Sequence, residues 1–392
     1  MTTRRQLLRS VLMGAALAPW ARLSVAAPGA DAPRFVFVIL RGGLDGLTAV
    51  PAPGDPAFAE ARGALAAFAS EPLPLDGRFA LHPLLPQLHA AYGRGELAVL
   101  HAVGLPYRER SHFDAQQVLE SGGVRPHELN TGWLGRALAN RGGAPLQAVA
   151  LETAVPLVLR GPAEVDTWAP STLPEPTADL VARLEALYRT DPVLAQALAR
   201  ARSLRNEPGM VDGPQDMAGP RRSASVGLAA KAAEFLQRGS QVAVLELSGW
   251  DSHANQAAPN GATSGNLRNL DATLAALHQG LLPGGLWQRS VVLVATEFGR
   301  QVTINGTQGT DHGSGGAAFV LGGAVRGGRV LADWPGLAPK DRFEGRDLRI
   351  TTDLRAALRP ILLQHLQVPR AALDATVLPG SAGLPALDLL HA

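Results

Sequence analysis

The 392-residue sequence contains no cysteine. Without thiols the chain forms no disulfide framework, no thiolate zinc site and no iron–sulfur cluster, and it has no thiol nucleophile. Any bound metal therefore depends on histidine and carboxylate ligands. Charged residues are also few, at 18%, whereas 46% of the residues are hydrophobic. A chain of this composition can bury a large core, which excludes wholesale disorder.

The chain has little basic charge beyond its first residues. Residues 1–27 hold four of the 36 Lys and Arg residues and none of the 34 Asp and Glu residues, so the rest of the chain carries 32 basic and 34 acidic groups. No dense basic block follows residue 30. This balance argues against binding to nucleic acid or to an anionic membrane surface.

The N-terminal segment has the pattern of an export signal. Arg4 and Arg5 form a twin-arginine pair, an apolar run follows at 11–18, and residues 25–27 offer a small-residue cleavage site. The run is shorter than the about 20 residues that span a bilayer. We expect residues 1–27 to be a removable signal for the Tat export machinery, leaving a periplasmic or secreted protein with no transmembrane anchor. The alternative is an ordinary amphipathic N-terminal helix.

Short apolar runs alternate with segments of helical periodicity. The runs suit buried strands and occupy residues 35–40, 97–100, 242–247, 291–295 and 317–321. The helical segments occupy residues 84–92, 178–187, 192–204, 226–237, 267–282 and 353–366. This alternation predicts one α/β domain over residues 34–392, a parallel-sheet sandwich flanked by helices. A helical and proline-rich excursion is expected at about 155–240, as a candidate lid over the site.

Acidic and histidine residues gather where the predicted strands end, which is where α/β sheets bind their ligands. Four separate segments contribute oxygen or imidazole donors there, and these donor types suit a divalent metal. The candidate metal ligands are Asp45, Asp251, His253, Glu297, Asp311 and His312.

Each candidate also has a purely structural interpretation. Asp45 lies among glycines and suits a turn. Asp251 and His253 share one side of an extended segment, but a solvated loop has the same spacing. Asp311 and His312 lie among glycines before the fifth apolar run, and this pattern is also compatible with a hairpin. A buried Glu297 carboxylate needs neutralisation, either by a cation or by Arg300.

The segment after the second apolar run offers a nucleophile. Ser111 and Asp114 have the spacing of a capping box, so the Ser111 hydroxyl is either a helix N-cap or a nucleophile beside free backbone N–H groups. His112 suits a ligand, a base or a packing role. Arg108 and Arg110 would help to hold an anionic ester.

These segments together resemble the exported bacterial family known as domain of unknown function 1501 (DUF1501). The resemblance spans nearly the whole mature chain and is carried by residues 40–47, 101–106, 111–114, 249–253, 297–300 and 309–313. That family is similar to the alkaline phosphatase and sulfatase superfamily, whose parallel-sheet α/β fold binds one or two divalent metals and hydrolyses phosphate or sulfate esters. The resemblance therefore implies an alkaline phosphatase-like fold.

The resemblance also implies roles for individual residues. Asp45 stands where the superfamily places its first-strand metal-binding aspartate, and Ser111 is the counterpart of the Ser or Thr nucleophile. Asp251 and His253 resemble a later aspartate and histidine that hold one metal, although the superfamily spaces them more widely. His312 resembles the final metal-binding histidine.

The sequence departs from the phosphatase pattern at Glu297 and Phe298, where phosphatases carry an Asp-His pair, so one nitrogen ligand of a second metal is missing. Because His253 and His312 suit borderline ions, zinc or manganese is favoured over magnesium or calcium. We expect an exported metal-dependent hydrolase acting on a small anionic phosphate or sulfate ester. The alternatives are a noncatalytic metal- or ligand-binding envelope protein and a structural member of the fold without metal.

Overall fold

The computed structural model describes residues 32–141, 146–170, 176–206 and 224–391, without the side chains of residues 203–206. The expected export signal at 1–27 lies outside the described residues, as do residues 207–223 of the proline-rich excursion. No helix in the described ranges is long and apolar enough to cross a membrane.

The described residues contain eleven strands. They are β1 (Arg34–Leu40), β2 (Leu73–Pro74), β3 (Ala80–Leu81), β4 (Leu97–Gly104), β5 (Ala148–Ala150), β6 (Val165–Thr167), β7 (Val242–Leu247), β8 (Ser290–Thr296), β9 (Gly316–Leu321), β10 (Arg329–Leu331) and β11 (Thr352–Asp353). The five predicted strands are confirmed as β1, β4, β7, β8 and β9.

The same part of the chain contains eleven α-helices. They are α1 (Gly46–Ala49), α2 (Phe58–Arg62), α3 (Pro86–Gly93), α4 (His112–Ser121), α5 (Trp133–Asn140), α6 (Ala178–Tyr188), α7 (Pro192–Asn206), α8 (Ala224–Gln237), α9 (Ala262–Leu281), α10 (Leu354–Pro360) and α11 (Arg370–Ala372). Five predicted helices correspond to α3, α6, α7, α8 and α9. The sixth, expected at 353–366, is α10 followed by a π-helical turn, Ile361–His365.

Nine strands form one large, mostly parallel sheet in the order β10-β4-β9-β8-β1-β7-β5-β6, with β11 pairing beside β4. β9 is the exception, because it runs antiparallel to both β4 and β8. Residues 297–315, which join β8 to β9, contain no helix that would carry the chain back to the opposite edge. The chain therefore turns at the carboxyl edge of β8 and re-enters the sheet there.

Helices cover both faces of the sheet. β1 is buried along its whole length, and its alternate side chains enter two separate cores. Val36 and Val38 pack in the core that also contains apolar residues of α3, α8 and α9. Phe35 and Phe37 pack in the opposite core, where both rings contact the buried Trp133 of α5. Each such buried side chain contributes about 1.5–3 kcal/mol, so the two cores fix the sheet and the loops at its edge.

The helical excursion expected at about 155–240 contains β6, α6, α7 and α8 in its described part. α6 has no buried residue. α8 differs, because Ala229, Ala232, Phe235 and Leu236 are buried in the first of the two cores.

Candidate metal centre

Three imidazole rings and one carboxylate meet at the carboxyl edge of the sheet. His112 begins α4, Asp251 and His253 follow β7, and His312 precedes β9. The antiparallel direction of β9 brings its first end to the edge where β7 and β8 finish. One sheet edge thus collects side chains that lie up to 200 residues apart in the sequence.

The His312 Nε2 atom is at the middle of this group. It lies 3.1 Å from the Nε2 atom of His112, 3.1 Å from the Nε2 atom of His253 and 3.1 Å from the Oδ1 atom of Asp251. The Nε2 atom of His253 is 2.9 Å from the same Asp251 oxygen. Within the described ranges, His112, Asp251 and His312 form the one group of three potential ligands whose donor atoms all lie within 4.8 Å of one another. His253 extends that group at its more exposed side.

Each of the three imidazole rings also makes a contact through its second nitrogen atom, Nδ1. The Nδ1 contacts are His112 with Glu297 Oε1 at 2.9 Å, His253 with Asp311 Oδ1 at 3.2 Å, and His312 with the carbonyl oxygen of Arg110 at 3.0 Å. All three partners accept hydrogen bonds, so each Nδ1 atom is placed to donate a proton, and in the neutral tautomer with the proton on Nδ1 each ring directs an Nε2 lone pair into the group. Metal-binding histidines commonly have this arrangement, in which a hydrogen bond at one nitrogen orients the other.

The spacing of the donor atoms suits a shared divalent cation better than direct hydrogen bonds between the rings. The Nε2 atoms of His112 and His253 each lie 3.1 Å from that of His312, and lone pairs on nitrogen atoms this close repel each other. At most one proton can lie between two such nitrogen atoms. Charging all three rings would bring cationic imidazolium groups into contact. Around a tetrahedral zinc ion with ligands at ~2.1 Å, the ligand atoms are ~3.4 Å apart, close to the spacing found here. The exposed fractions of the side chains, 23% for His112 and 26% for His312, leave a path for solvent and ligand.

Asp251 is neutralised by Arg300. The Arg300 Nη1 atom donates to Asp251 Oδ1 at 2.7 Å, and its Nη2 atom donates to the carbonyl of Thr310. Burial raises the pKa of Asp251, but the Arg300 hydrogen bond and charge lower it overall to about 2. Asp251 is therefore ionised at any neutral pH and available as an oxygen ligand.

Glu297 is bound by hydrogen bonds instead of by Arg300. Its Oε1 atom accepts from the Gly42 backbone N–H at 2.8 Å, from Gln116 Nε2 at 3.0 Å and from His112 Nδ1, while Thr296 Oγ1 lies 2.9 Å from Oε2. Burial raises the pKa of Glu297, but these hydrogen bonds, led by that of His112, hold it below its ordinary value. The same hydrogen bond raises the pKa of His112.

Close packing fixes the rings and the loop beneath them. The Phe298 ring lies 4.7 Å from the His112 ring and 5.1 Å from the His312 ring, between centroids. Gly42 has a φ of +118°, and a Cβ there would lie 2.5 Å from the Asp251 backbone nitrogen. A larger residue at Gly42 would therefore displace Asp251.

Asp45 lies in an adjoining cluster. Its carboxylate accepts the backbone N–H groups of Leu47 and Thr48 at the start of α1, and it forms an ion pair with Arg62. Gln256 donates to the same carboxylate. Burial raises the pKa of Asp45, but Arg62 holds it below its ordinary value. The structure thus places Asp45 in a buried ion pair, whereas Asp251, His253 and His312 converge with His112.

The remaining candidates lie around α4. Ser111 is at the N-cap position of α4, directly before His112, and its side chain makes no capping hydrogen bond. The Arg110 guanidinium pairs with Asp347 and Glu344, so Arg110 contributes its carbonyl group to the site. Arg108 donates to a backbone carbonyl at 2.9 Å.

Sequence reasoning missed three amide side chains. Gln116 donates to Glu297, Gln256 joins Asp45 to Thr310, and Asn305 donates to Asp311. Amides follow no ligand spacing, so the sequence offers little signal for them. The one signal is that Gln116 stands four residues after His112 and thus on the same face of α4.

Several solved structures match this chain over most of its length. Ps i-CgsB in complex with k-i-k-neocarrahexaose is 9% identical, with a TM-score of 0.43 over 86% of this chain and 72% of that chain. The phosphonate monoester hydrolase of Agrobacterium radiobacter is 12% identical, with a TM-score of 0.41 over 86% and 74%. The PsFucS1 sulfatase from Pseudoalteromonas sp. is 14% identical, with a TM-score of 0.40 over 84% and 68%.

No curated protein matches the sequence. Residues 90–366 match the model of the family described as protein of unknown function (DUF1501). The match covers more than half of the chain and includes His112, Asp251, His253, Glu297 and His312. The chain therefore belongs to the DUF1501 family, as its sequence motifs predict.

Proposed function

We propose that this protein is an exported metal-dependent hydrolase of small anionic phosphate or sulfate esters. The observation that carries the proposal is the convergence of three Nε2 atoms and one carboxylate, each ring being oriented through its Nδ1 atom. His112, Asp251, His253 and His312 would hold the cation. For this mixed set of imidazole and carboxylate ligands we favour zinc or manganese over magnesium or calcium, because imidazole suits zinc and carboxylate suits manganese.

A bound divalent cation would supply the positive charge that an anionic ester needs. Asp251 is paired with Arg300, and the buried Glu297 carboxylate contributes one negative charge. With neutral imidazoles and the more exposed Asp311 carboxylate that contacts His253, a divalent cation leaves this set of groups with no net charge, so the attraction for an anionic ester would come from the cation itself. A bound cation supplies a Lewis acid that offsets negative charge on an ester oxygen and lowers the pKa of a bound water or hydroxyl group.

Ser111 is the candidate nucleophile. It adjoins the ligand His112 at the N-terminus of a ten-residue helix, and its hydroxyl is not used as a cap. Its oxygen would form a bond to phosphorus or sulfur and give up its proton, while the ester oxygen leaves and takes up a proton to become the alcohol; water would then cleave the serine ester, releasing phosphate or sulfate and restoring the serine hydroxyl. The first backbone N–H groups of α4 would stabilise negative charge nearby.

A noncatalytic metal- or ligand-binding role is the second candidate. It is favoured by one observation, namely that the guanidinium groups of Arg108 and Arg110 are bound to groups of the protein itself. In this arrangement they do not hold an ester as the sequence interpretation expects.

Metal-loaded protein assayed on chromogenic phosphomonoester, phosphodiester and sulfate-ester substrates separates the two candidates. We expect Ser111→Ala to retain the metal and lose turnover, and Asp251→Asn to lose both. Glu246→Gln is the matched control, because Glu246 lies near the end of β7, the strand that Asp251 follows, but pairs with Arg41. Turnover unchanged in both site variants would contradict the hydrolase, and bound metal without turnover on any substrate would favour the second candidate.

Export is tested separately. Replacing Arg4 and Arg5 by Lys, or removing the Tat machinery, is expected to leave the protein in the cytoplasm. Fractionation of cells that express the full chain measures this. Unchanged distribution would contradict export by this route.

A further inference from the structure

We infer that the centre holds one divalent cation and that the buried guanidinium of Arg62 takes the place of a second at Asp45. The inference rests on the proposed metal centre and concerns its stoichiometry. Its first support is that Asp45, the other aspartate expected to bind metal at this edge of the sheet, is already saturated by protein donors.

The hydrogen bonds of Asp45 account for both of its oxygens. Oδ1 accepts the backbone N–H groups of Leu47 at 3.0 Å and Thr48 at 3.2 Å. Oδ2 accepts from Thr48 Oγ1 at 2.8 Å, from Arg62 and from Gln256. A carboxylate offers about four lone-pair sites. Five donors leave none for a metal ion.

The Arg62 side chain is fixed and wholly buried, with an exposed fraction of 0%. Its Nη1 atom donates to the carbonyl oxygen of Val302 at 2.8 Å, and its Nη2 atom contacts both Asp45 and Thr48. A guanidinium stays protonated in proteins. A divalent cation at Asp45 would therefore lie against this buried positive charge and would also have to displace a hydrogen-bond donor from a carboxylate that has no unused oxygen.

Glu297 offers no alternative second position. Its two oxygens are engaged by one backbone N–H group, one amide, one imidazole and one hydroxyl group. Phe298 places an apolar ring beside His112 and His312, where a further nitrogen ligand would be needed. In the part of the chain that the structure describes, one group of three metal-ligand side chains is present.

Gln256 and Thr310 link the two positions. Thr310 Oγ1 donates to Gln256 Oε1 at 2.8 Å, while Gln256 donates to Asp45. Thr310 also accepts from Arg300, which holds Asp251. The two carboxylates thus have the same type of partner, an arginine, and only Asp251 also faces imidazole nitrogen atoms. This difference confines the cation to the Asp251 side.

The test is metal stoichiometry in the full chain. Protein is saturated with zinc, and in parallel with manganese, then freed of unbound ions and analysed by elemental mass spectrometry. One ion per chain is expected, and an anomalous-scattering map should show a single peak among the Nε2 atoms. Two ions per chain would overturn the inference while leaving the hydrolase proposal intact. No bound ion would overturn both. One ion without any turnover would support the inference and count against the hydrolase.

Two substitutions of matched chemistry sharpen the test. Asp45→Asn is expected to retain one ion per chain, because its carboxylate binds Arg62, whereas Asp251→Asn is expected to retain less than a tenth of an equivalent. Loss of the ion in folded Asp45→Asn would contradict the inference. If Asp45→Asn does not fold, the stoichiometry of the wild-type chain still decides between one ion and two.

Discussion

Neutralising Glu297 without changing its shape should weaken metal binding and leave the fold intact. In Glu297→Gln the amide oxygen can still accept from Gly42, Gln116 and His112. The new NH₂ group can donate to Thr296 Oγ1, whose own proton can go to the backbone carbonyl that it already contacts at 2.8 Å. The substitution then removes only the negative charge that Glu297 places beside the Nδ1 atom of His112. Substitutions of such partners commonly cost 10–100-fold in affinity, which is about 1.4–2.7 kcal/mol.

Chelator competition and calorimetry with zinc measure this change, and urea unfolding of the metal-free protein measures stability. Glu246→Gln is the control, because it removes a carboxylate at the same sheet edge that contacts Arg41 and none of the three histidines. Equal zinc affinity in the two variants would refute the argument that Glu297 orients and polarises His112. Glu297→Ala should behave differently, since it leaves the buried Gly42 N–H group without a partner at a cost of about 1–3 kcal/mol in stability.

Three further outcomes are expected. Arg62→Met should lower the free energy of unfolding by about 3–5 kcal/mol, because it leaves the buried Asp45 charge unpaired; a loss below about 1 kcal/mol in urea would contradict this. The pKa of Asp45 is held below its ordinary value of about 3.9, so its stabilisation is present above that pH and is lost as the pH falls through the folded-state pKa. Urea midpoints between pH 6 and pH 3 should therefore fall less steeply in Asp45→Asn than in the wild type, and parallel curves would count against the ion pair. Zinc at 100 times its dissociation constant should stabilise the wild type by about 2.7 kcal/mol, and the same zinc concentration should stabilise His312→Ala much less; equal stabilisation would place the metal elsewhere.

Local sequence patterns were sufficient for the strands and most helices. The run at 242–247 became β7 with the same bounds, and the run at 35–40 became β1 with one added residue. A continuous apolar run reports burial on both faces of a sheet, which is a property of the segment itself. The missing cysteines likewise limited any metal centre to histidine and carboxylate ligands.

Only the tertiary structure determined which charged side chains pair with one another at the site. The sequence predicted either Arg300 or a cation as the partner of Glu297. In the structure Arg300 pairs with Asp251, and Glu297 contacts His112. Arg62 was not singled out at all, because nothing in its neighbourhood indicates that it will meet Asp45 in a buried pair. Pairing of this kind depends on which loops meet at the sheet edge, and no local pattern encodes it.

The direction of β9 is a second feature that the local sequence did not determine. An apolar run of five residues predicts a buried strand equally well in either orientation. Because the connection from β8 contains no helix, the chain turns back and β9 runs antiparallel, which brings His312 to the edge occupied by Asp251 and His253. The residue types of the site were thus set by the sequence, and their convergence was set by the long-range strand pairing that only the folded chain makes.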